Sequence, residues 1–285
     1  MNKGKLYICG TPIGNLEDIS FRVIKILKKA QVIAAEDTRR TAKLLNYYDI
    51  NTGLTSYHEH NENEKAKKLL QKLEQGENIA LVSDAGMPGI SDPGLIIVKK
   101  AITAGVSVIP VPGPTAAISA LVVSGMDTSR FVFEGFLPRK GKERKERLEA
   151  IKNEVRTTII YESPYRLKET LKEFSALLKN RKIAVVREIS KIHEEKIYGT
   201  AEKILNNIGN REIKGEIVVV IEGIGDVESS QQGWEDLNIL EHLQLMIEQG
   251  FSKKKAIKEV ARIRDLPKKK VYKEAIVIDA RKENR

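Results

Sequence analysis

ALVSDAGMPGISDPG, Ala80 to Gly94, is the stretch on which the fold turns. The apolar run Ile79–Val82 stops abruptly. Gly86, Gly89 and Gly94, Pro88 and Pro93, and the acids Asp84 and Asp92 follow it. An apolar run of strand length, a Gly/Pro loop and then a helical pattern in GLIIVKKAITAG (94–105) make a strand–loop–helix unit. The same unit recurs on both sides. KLYICG (5–10) reads as a buried strand. ISFRVIKILKKA (19–30) reads as a helix with Ile19, Val23, Ile26 and Leu27 on one face and Asp18 as its N-cap. QVIAAE (31–36) is a second strand, TRRTAKLLNYY (38–48) a helix capped by Asp37, and ENEKAKKLLQKLEQG (62–76) an amphipathic helix ended by Gly76. SVIPVPG (107–113) is a strand that leads to a helix over 115–124. Strands apolar throughout, alternating with helices, predict a mostly parallel sheet covered on both faces.

The second half follows a different rhythm. In FVFEGFLPRKGKERKERLEAIKNE (131–154) a strand is broken by Pro-Arg-Lys-Gly and followed by a charged helix. Strands at 157–162, 182–189, 194–200 and 215–223 are separated by helices at 165–180 and 200–208 only, so a mixed sheet is expected. The boundary is placed near Gly135–Gly141. A polar linker over 225–233 leads to a basic tail. The expected organisation is an α/β domain over 1–134, a second α/β domain over 135–226 and a helical module over 234–285.

Hydrophobic residues make up 41% of the 285, enough for a sizeable core, and no apolar run has the length of a membrane span. The short run Leu6–Cys9 is not a signal-peptide core. A single cysteine excludes an intrachain disulfide, and with four scattered histidines it leaves no structural zinc site, so no metal is expected. A reducing cytoplasm is the simplest setting. The net charge of +10 is concentrated: residues 251–285 hold 13 Lys/Arg against 5 Asp/Glu. A basic tail on a nearly neutral body points to a polyanionic partner.

Ligands of parallel sheets sit at the carboxyl ends of strands. Three such loops here, GTPIGN (10–15), SDAGMPGISDPG (83–94) and PVPGPTAA (110–117), are rich in Gly or Pro. Together they predict a preformed cleft that offers backbone N–H and C=O groups. None is a P-loop or a G-x-G-x-x-G fingerprint, which disfavours a phosphate ligand. Asp84 would pair with an ammonium or a ribose diol, or cap its own turn.

These loops, with AAEDTRRT (34–41), SYHEHNE (56–62), FEGFLPRKG (133–141), YESPYRL (161–167), REISKIHEE (187–195) and KGEIVVVIEG (214–223), resemble the tetrapyrrole methylase family of S-adenosylmethionine methyltransferases, and within it the RNA-modifying branch. The resemblance spans roughly residues 7 to 223. It implies two α/β domains with S-adenosylmethionine in the cleft between them, a homodimer, and 2′-O-methylation of a cytidine ribose in 16S RNA near the decoding centre, on free RNA or on the small ribosomal subunit. The first loop lacks the G-x-G-P-G-D pattern of the tetrapyrrole-modifying relatives. Ser83-Asp84-Ala85 replaces their Gly-Asp-Pro, which puts a tetrapyrrole substrate in doubt. Carried over, Pro12 and Ile13 would floor the cofactor site. Asp84, Gly86 and Met87 would approach the methionine and ribose portions, and Thr115 and Ala116 would form a wall. Tyr161, Glu162 and Gly215 would close the adenine side.

Methyl transfer from a sulfonium needs an in-line oxygen and excluded water more than it needs strong acid–base chemistry. A ribose hydroxyl is still a weak nucleophile and gains from a base. Asp37 and His58 are the candidates. Arg39 and Arg187 are candidates for gripping RNA phosphate. Residues 241–278 read as three helices with turns at Gly250 and at Leu266-Pro267 and a small core of Leu243, Met246, Ile247, Ile257, Val260, Ala261, Ile263, Val271, Ala275 and Ile276. Ser252 would cap the middle helix. Lys253–Lys255 and Lys268–Lys270 put basic triplets at two helix starts, with Lys253, Lys254, Lys268 and Lys269 as RNA contacts. The competing readings are a methylase of a small tetrapyrrole and an inactive nucleic-acid-binding relative.

Overall fold

The computed structural model describes residues 2–224, 237–248 and 251–282. The linker expected over 225–233, the turn at Gly250 and the side chain of Ile276 lie outside the described residues. The chain forms two compact units, Met1–Gly223 and Ile224–Arg285.

The first unit holds two five-stranded sheets. Strands β1 (Lys5–Cys9), β2 (Val32–Ala35), β3 (Leu54–Ser56), β4 (Ile79–Val82) and β5 (Ser107–Val111) form one in the order β3-β2-β4-β1-β5, all parallel. Alternate residues of each strand feed opposite faces. Leu6, Ile79 and Leu81 pack with α3 (Glu62–Glu74) and α4 (Leu95–Thr103); Ile33, Ala80 and Val82 pack with α1 (Phe21–Lys29) and α2 (Thr38–Tyr47). This double burial is why the strands are apolar throughout. The loops after the neighbouring strands β1 and β4 lead to helices on opposite faces, and so open a crevice at the carboxyl ends of the sheet.

The second sheet has the order β6-β7-β10-β8-β9, from β6 (Phe131–Phe136), β7 (Thr157–Glu162), β8 (Ile183–Arg187), β9 (Glu195–Gly199) and β10 (Ile217–Ile221). Only β6–β7 is parallel, which gives the mixed sheet expected. Strand β6 straddles the expected boundary at 134/135 and belongs wholly to this sheet. One face packs on α6 (Lys142–Asn153), α7 (Leu167–Leu178) and α8 (Ala201–Ile208). The other receives Ala117, Ala120 and Leu121 of α5 (Ala116–Val123), the helix that leaves the first sheet. The helix that follows the last strand of the first sheet thus packs on the second.

Local corrections have simple causes. Helix α1 is capped by Ser20, whose hydroxyl accepts from Val23 N–H; Asp18 instead ends a short 3-10 turn, Leu16–Asp18. Strand β3, three residues long, was not expected, because it is too short for periodicity to register. Ser252 occupies the N-cap of α10 (Lys253–Ile263), but its side chain makes no capping hydrogen bond.

The second unit contains α9 (Ile239–Glu248), α10 and α11 (Lys268–Lys282). Leu243, Met246, Val260, Ala261, Val271 and Ala275 form its core as expected, with Ile247 and Ile257 at the edge; Ala256 joins them and Ile263 does not. Among the described residues no helix is long and apolar enough to cross a membrane.

Candidate active site

Three loops build the floor of the crevice by backbone contact. Thr11 and Gly86 exchange two backbone hydrogen bonds (2.9 and 3.1 Å), and the Thr11 hydroxyl donates to Ser83 O at 3.1 Å. Gly86 has φ +82°, in the left-handed region that favours glycine. Gly10 and Gly113 press together so closely that a Cβ on Gly10 would lie 2.7 Å from Gly113 Cα and 2.7 Å from Met87 Sδ. These two glycines therefore serve loop-to-loop packing rather than leaving main chain bare for a ligand. The second sheet closes over this floor. The Ser190 hydroxyl donates to the Asp18 carboxylate, while Glu188 (φ +52°) and Ser190 (φ +66°) flank Ile189, which faces the cavity. Left-handed non-glycine residues so placed, with Ser91 (φ +60°) on the opposite wall, are strain held at a site.

The cavity measures about 420 Å³, within the range of small-molecule sites. Ile13, Asp84, Gly86, Met87, Thr115, Ala116, Tyr161, Glu162 and Gly215, all expected from the sequence, line it together; Pro12 does not. Tyr161 is held edge-on between Phe133 (5.0 Å between centroids) and Phe136 (5.5 Å), so its ring forms a rigid aromatic wall. Glu162 enters differently from expectation. Its side chain is fully buried, and its Oε1 accepts from Ser163 N–H (2.8 Å) and Arg166 (2.7 Å). Its Oε2 accepts from the Thr170 hydroxyl (2.6 Å). The carboxylate is thus spent on fixing the turn over 163–166, which also lines the cavity.

Three carboxylates gather on one side: Glu36 at the end of β2, Asp84 after β4, and Asp92 in the same loop as Asp84. Asp84 Oδ1 accepts from Asp37 N–H at 3.0 Å, and Oδ2 pairs with Arg40 at 3.2 Å. Burial, and then repulsion from Glu36, push the Asp92 carboxyl up to about 7; the Ser83 hydroxyl opposes this, and Asp84 and Glu216 add to it. Burial also raises Glu36. Two carboxyls held above their ordinary range in one cavity mark it as a candidate functional site. In the sequence, Asp92 stands out only as an acid in the loop. Its proximity to Glu36 depends on the β2–β4 pairing and leaves no local signal.

The two expected bases fare differently. Asp37 Oδ1 accepts from the N–H groups of Arg39 (2.8 Å) and Arg40 (3.3 Å), and these hydrogen bonds hold its carboxyl below its ordinary value. It is a helix cap and a weak base. His58 follows β3 at the edge of the sheet and does not line the cavity; its Nε2 meets Asn61 Nδ2 at 3.0 Å. Arg39 is exposed in the first turn of α2. Arg187 is not available for phosphate, because its guanidinium is bound to Glu195 (3.0 and 3.1 Å) and to Lys214 O (3.1 Å). Among the described residues no group of three His, Cys, Asp or Glu side chains is arranged to hold a metal ion.

The sequence pattern of the tetrapyrrole (corrin/porphyrin) methylases matches residues 5–205, a span that includes both β1 and the cavity-lining strand β7. The chain belongs to the tetrapyrrole methylase family. Within that family it is 50% identical, over 95% of its length and 94% of the relative's, to the ribosomal RNA small subunit methyltransferase I of Halalkalibacterium halodurans. It is 48% identical to the protein of that name from Bacillus subtilis, over 94% and 93% of the two chains. The crystal structure of uroporphyrin-III C-methyl transferase from Thermus thermophilus, complexed with S-adenyl homocysteine, shares the fold. Its TM-score is 0.57 at 18% identity, covering 77% of this chain and 97% of that one.

Proposed function

We propose that the protein transfers a methyl group from S-adenosylmethionine to the 2′-oxygen of a cytidine ribose in 16S ribosomal RNA near the decoding centre, as free RNA or in the small subunit. The observation that carries this reading is the cavity itself: an aromatic wall and a backbone floor beside three carboxylates, in a chain half identical to proteins named ribosomal RNA methyltransferases. The donor has a sulfonium and an ammonium, and Glu36, Asp84 and Asp92 offer the matching negative field. Tyr161 and Phe136 supply the flat apolar surface an adenine needs. When bound, the donor supplies an activated methyl group whose departure neutralises the sulfur.

The residues of the chain then have limited tasks. The floor of Thr11, Gly86 and Thr115 and the strap over 188–190 fix the geometry and exclude water. The Asp92 carboxylate accepts the ribose hydroxyl proton as the new O–C bond forms, in place of Asp37, whose carboxylate caps α2, or His58, which does not line the cavity. Arg39, exposed beside the mouth at the start of α2, contacts RNA phosphate. The protein acts as a homodimer in the cytoplasm. Ile118 and Val122, one turn apart on α5, are 44% and 70% exposed, and the Tyr198 hydroxyl donates to Val123 O at 2.9 Å at the end of the same helix; a second copy covers this patch.

The test is incubation with methyl-labelled S-adenosylmethionine and either free 16S RNA or isolated small subunits. Label in either substrate, and none in a tetrapyrrole, supports the reading. Label in neither RNA substrate rejects it.

A further inference from the structure

The second unit has a groove of about 800 Å³ that plays no part in the cleft chemistry. Lys253, Lys254 and Lys258 of α10 and Lys268 and Lys269 of α11 line it, together with Tyr272, over a floor that includes Ile257 and Ala275. Among the described residues no acidic side chain lines it. The remaining lysines of the two triplets stay out: Lys255 lies over the Phe251 ring, 5.1 Å from its centroid, and Lys270 is not part of the lining. The tyrosine ring is 57% exposed, although Val271 and Ala275 on the same helix are buried. The lysines also break a local rule. Cations are disfavoured in the first turn of a helix, where the backbone dipole is positive, and neither α10 nor α11 has an acid there to compensate. Lysines on both walls, an apolar floor and an exposed aromatic ring match one polymer: a chain of phosphates with flat bases attached.

We infer that this groove holds single-stranded RNA, its phosphates on Lys254, Lys258, Lys268 and Lys269 and an unpaired base stacked on Tyr272. A duplex hides its base faces and would leave the ring unused. The lysines act as mobile point charges rather than bidentate forks, so the contact is insensitive to sequence. The groove thereby anchors the substrate through a site of its own, and the inference rests on the cleft reading only in taking RNA as the substrate.

The test uses the full-length chain and a fluorescent single-stranded RNA of about a dozen nucleotides, followed by anisotropy over a salt series. The double variant Lys254→Gln/Lys269→Gln, at two exposed positions, is expected to weaken binding about tenfold and to flatten the dependence of log affinity on log salt by about 1.4, at about 0.7 per phosphate contact. Tyr272→Ala is expected to weaken binding several-fold with the salt slope unchanged, and Tyr272→Phe to restore it. The same strand annealed to its complement is expected to bind more weakly. Unchanged affinity and slope in the lysine variant overturn the assignment. A duplex bound as tightly as the single strand, with Tyr272→Ala silent, overturns the stacked base. Titration of the same variants with S-adenosylmethionine reports on the cleft separately: a failure there counts against the methyl-transfer reading, while the RNA affinities still decide the groove.

Discussion

Replacing Asp92 by asparagine tests whether the cavity is built around an uncompensated negative charge. The folded carboxyl is pushed from an ordinary 3.8 to about 7, by burial first and Glu36 second. Between those two values the unfolded chain ionises Asp92 while the folded chain keeps it protonated. The folded state then binds more protons, so this residue makes stability fall as pH rises through the window and level off above about 7. A rise of roughly three units at 1.36 kcal/mol each sets a ceiling of about 4 kcal/mol on the loss. Asp92 keeps some contact with solvent, and screening brings the expected figure to about 2 kcal/mol. Asparagine has nearly the same shape and cannot ionise. Urea unfolding without donor at pH 5 and pH 8 is the assay. The variant should gain about 1–2 kcal/mol on wild type between the two pH values. A stability difference that does not change with pH would refute the argument, because it would mean that the carboxyl ionises in the folded protein as it does in the unfolded chain.

Further outcomes follow from the same geometry. A bound cation favours ionised Asp92, so donor affinity measured by calorimetry should rise with pH up to about 7, by at most tenfold per unit, and then flatten, with proton release near pH 6.5; a flat profile from pH 5.5 to 8 contradicts this. Gly10→Ala places a methyl 2.7 Å from Gly113 Cα, and should cost about 1–3 kcal/mol and weaken donor binding, whereas Gly53→Ala, whose Cβ meets nothing within 4 Å, should leave donor binding unchanged. Thr170→Val strips the Glu162 Oε2 of its 2.6 Å donor and should cost about 1–3 kcal/mol in thermal or urea unfolding. Val122→Glu should shift sedimentation from dimer to monomer at micromolar concentration without changing donor affinity; an unchanged dimer would place the interface elsewhere.

The fold was legible where one strand or helix carried its own signal. Ile79–Val82 was readable as a doubly buried strand because all four residues are apolar, and Asp37 as a cap because it stands directly before the helical pattern of α2. Asp18 misled, since a 3-10 turn delays the helix by two residues and hands the cap to Ser20. In the cavity, the loops that carry Ile13, Gly86, Met87 and Thr115 were legible as Gly- and Pro-rich segments at strand ends, while the individual residues came with the family resemblance. What could not be read was pairing across distance. Arg187 looked free because its partner Glu195 stands opposite it only once β8 and β9 pair in register. Glu162 looked like a ligand contact because Thr170, which engages it, lies on a separate helix. Asp92 acquires its unusual titration from burial first and then from Glu36, brought near by a strand far away in sequence. Burial and charge coupling are properties of the assembled sheets: even partners eight residues apart, Arg187 with Glu195 or Glu162 with Thr170, meet only once the fold brings them together.

The account makes the ribose oxygen the acceptor of the methyl group, and one measurement addresses that directly. Small subunits lacking the modification are incubated with the full-length protein and methyl-labelled S-adenosylmethionine, and the recovered RNA is hydrolysed completely in alkali. Alkaline cleavage proceeds through the free 2′-hydroxyl, so a methyl placed there protects its phosphodiester. The account predicts that the label is recovered in an alkali-stable dinucleotide, and that Asp92→Asn greatly reduces the yield. Label recovered in mononucleotides, carried on a base, would contradict it.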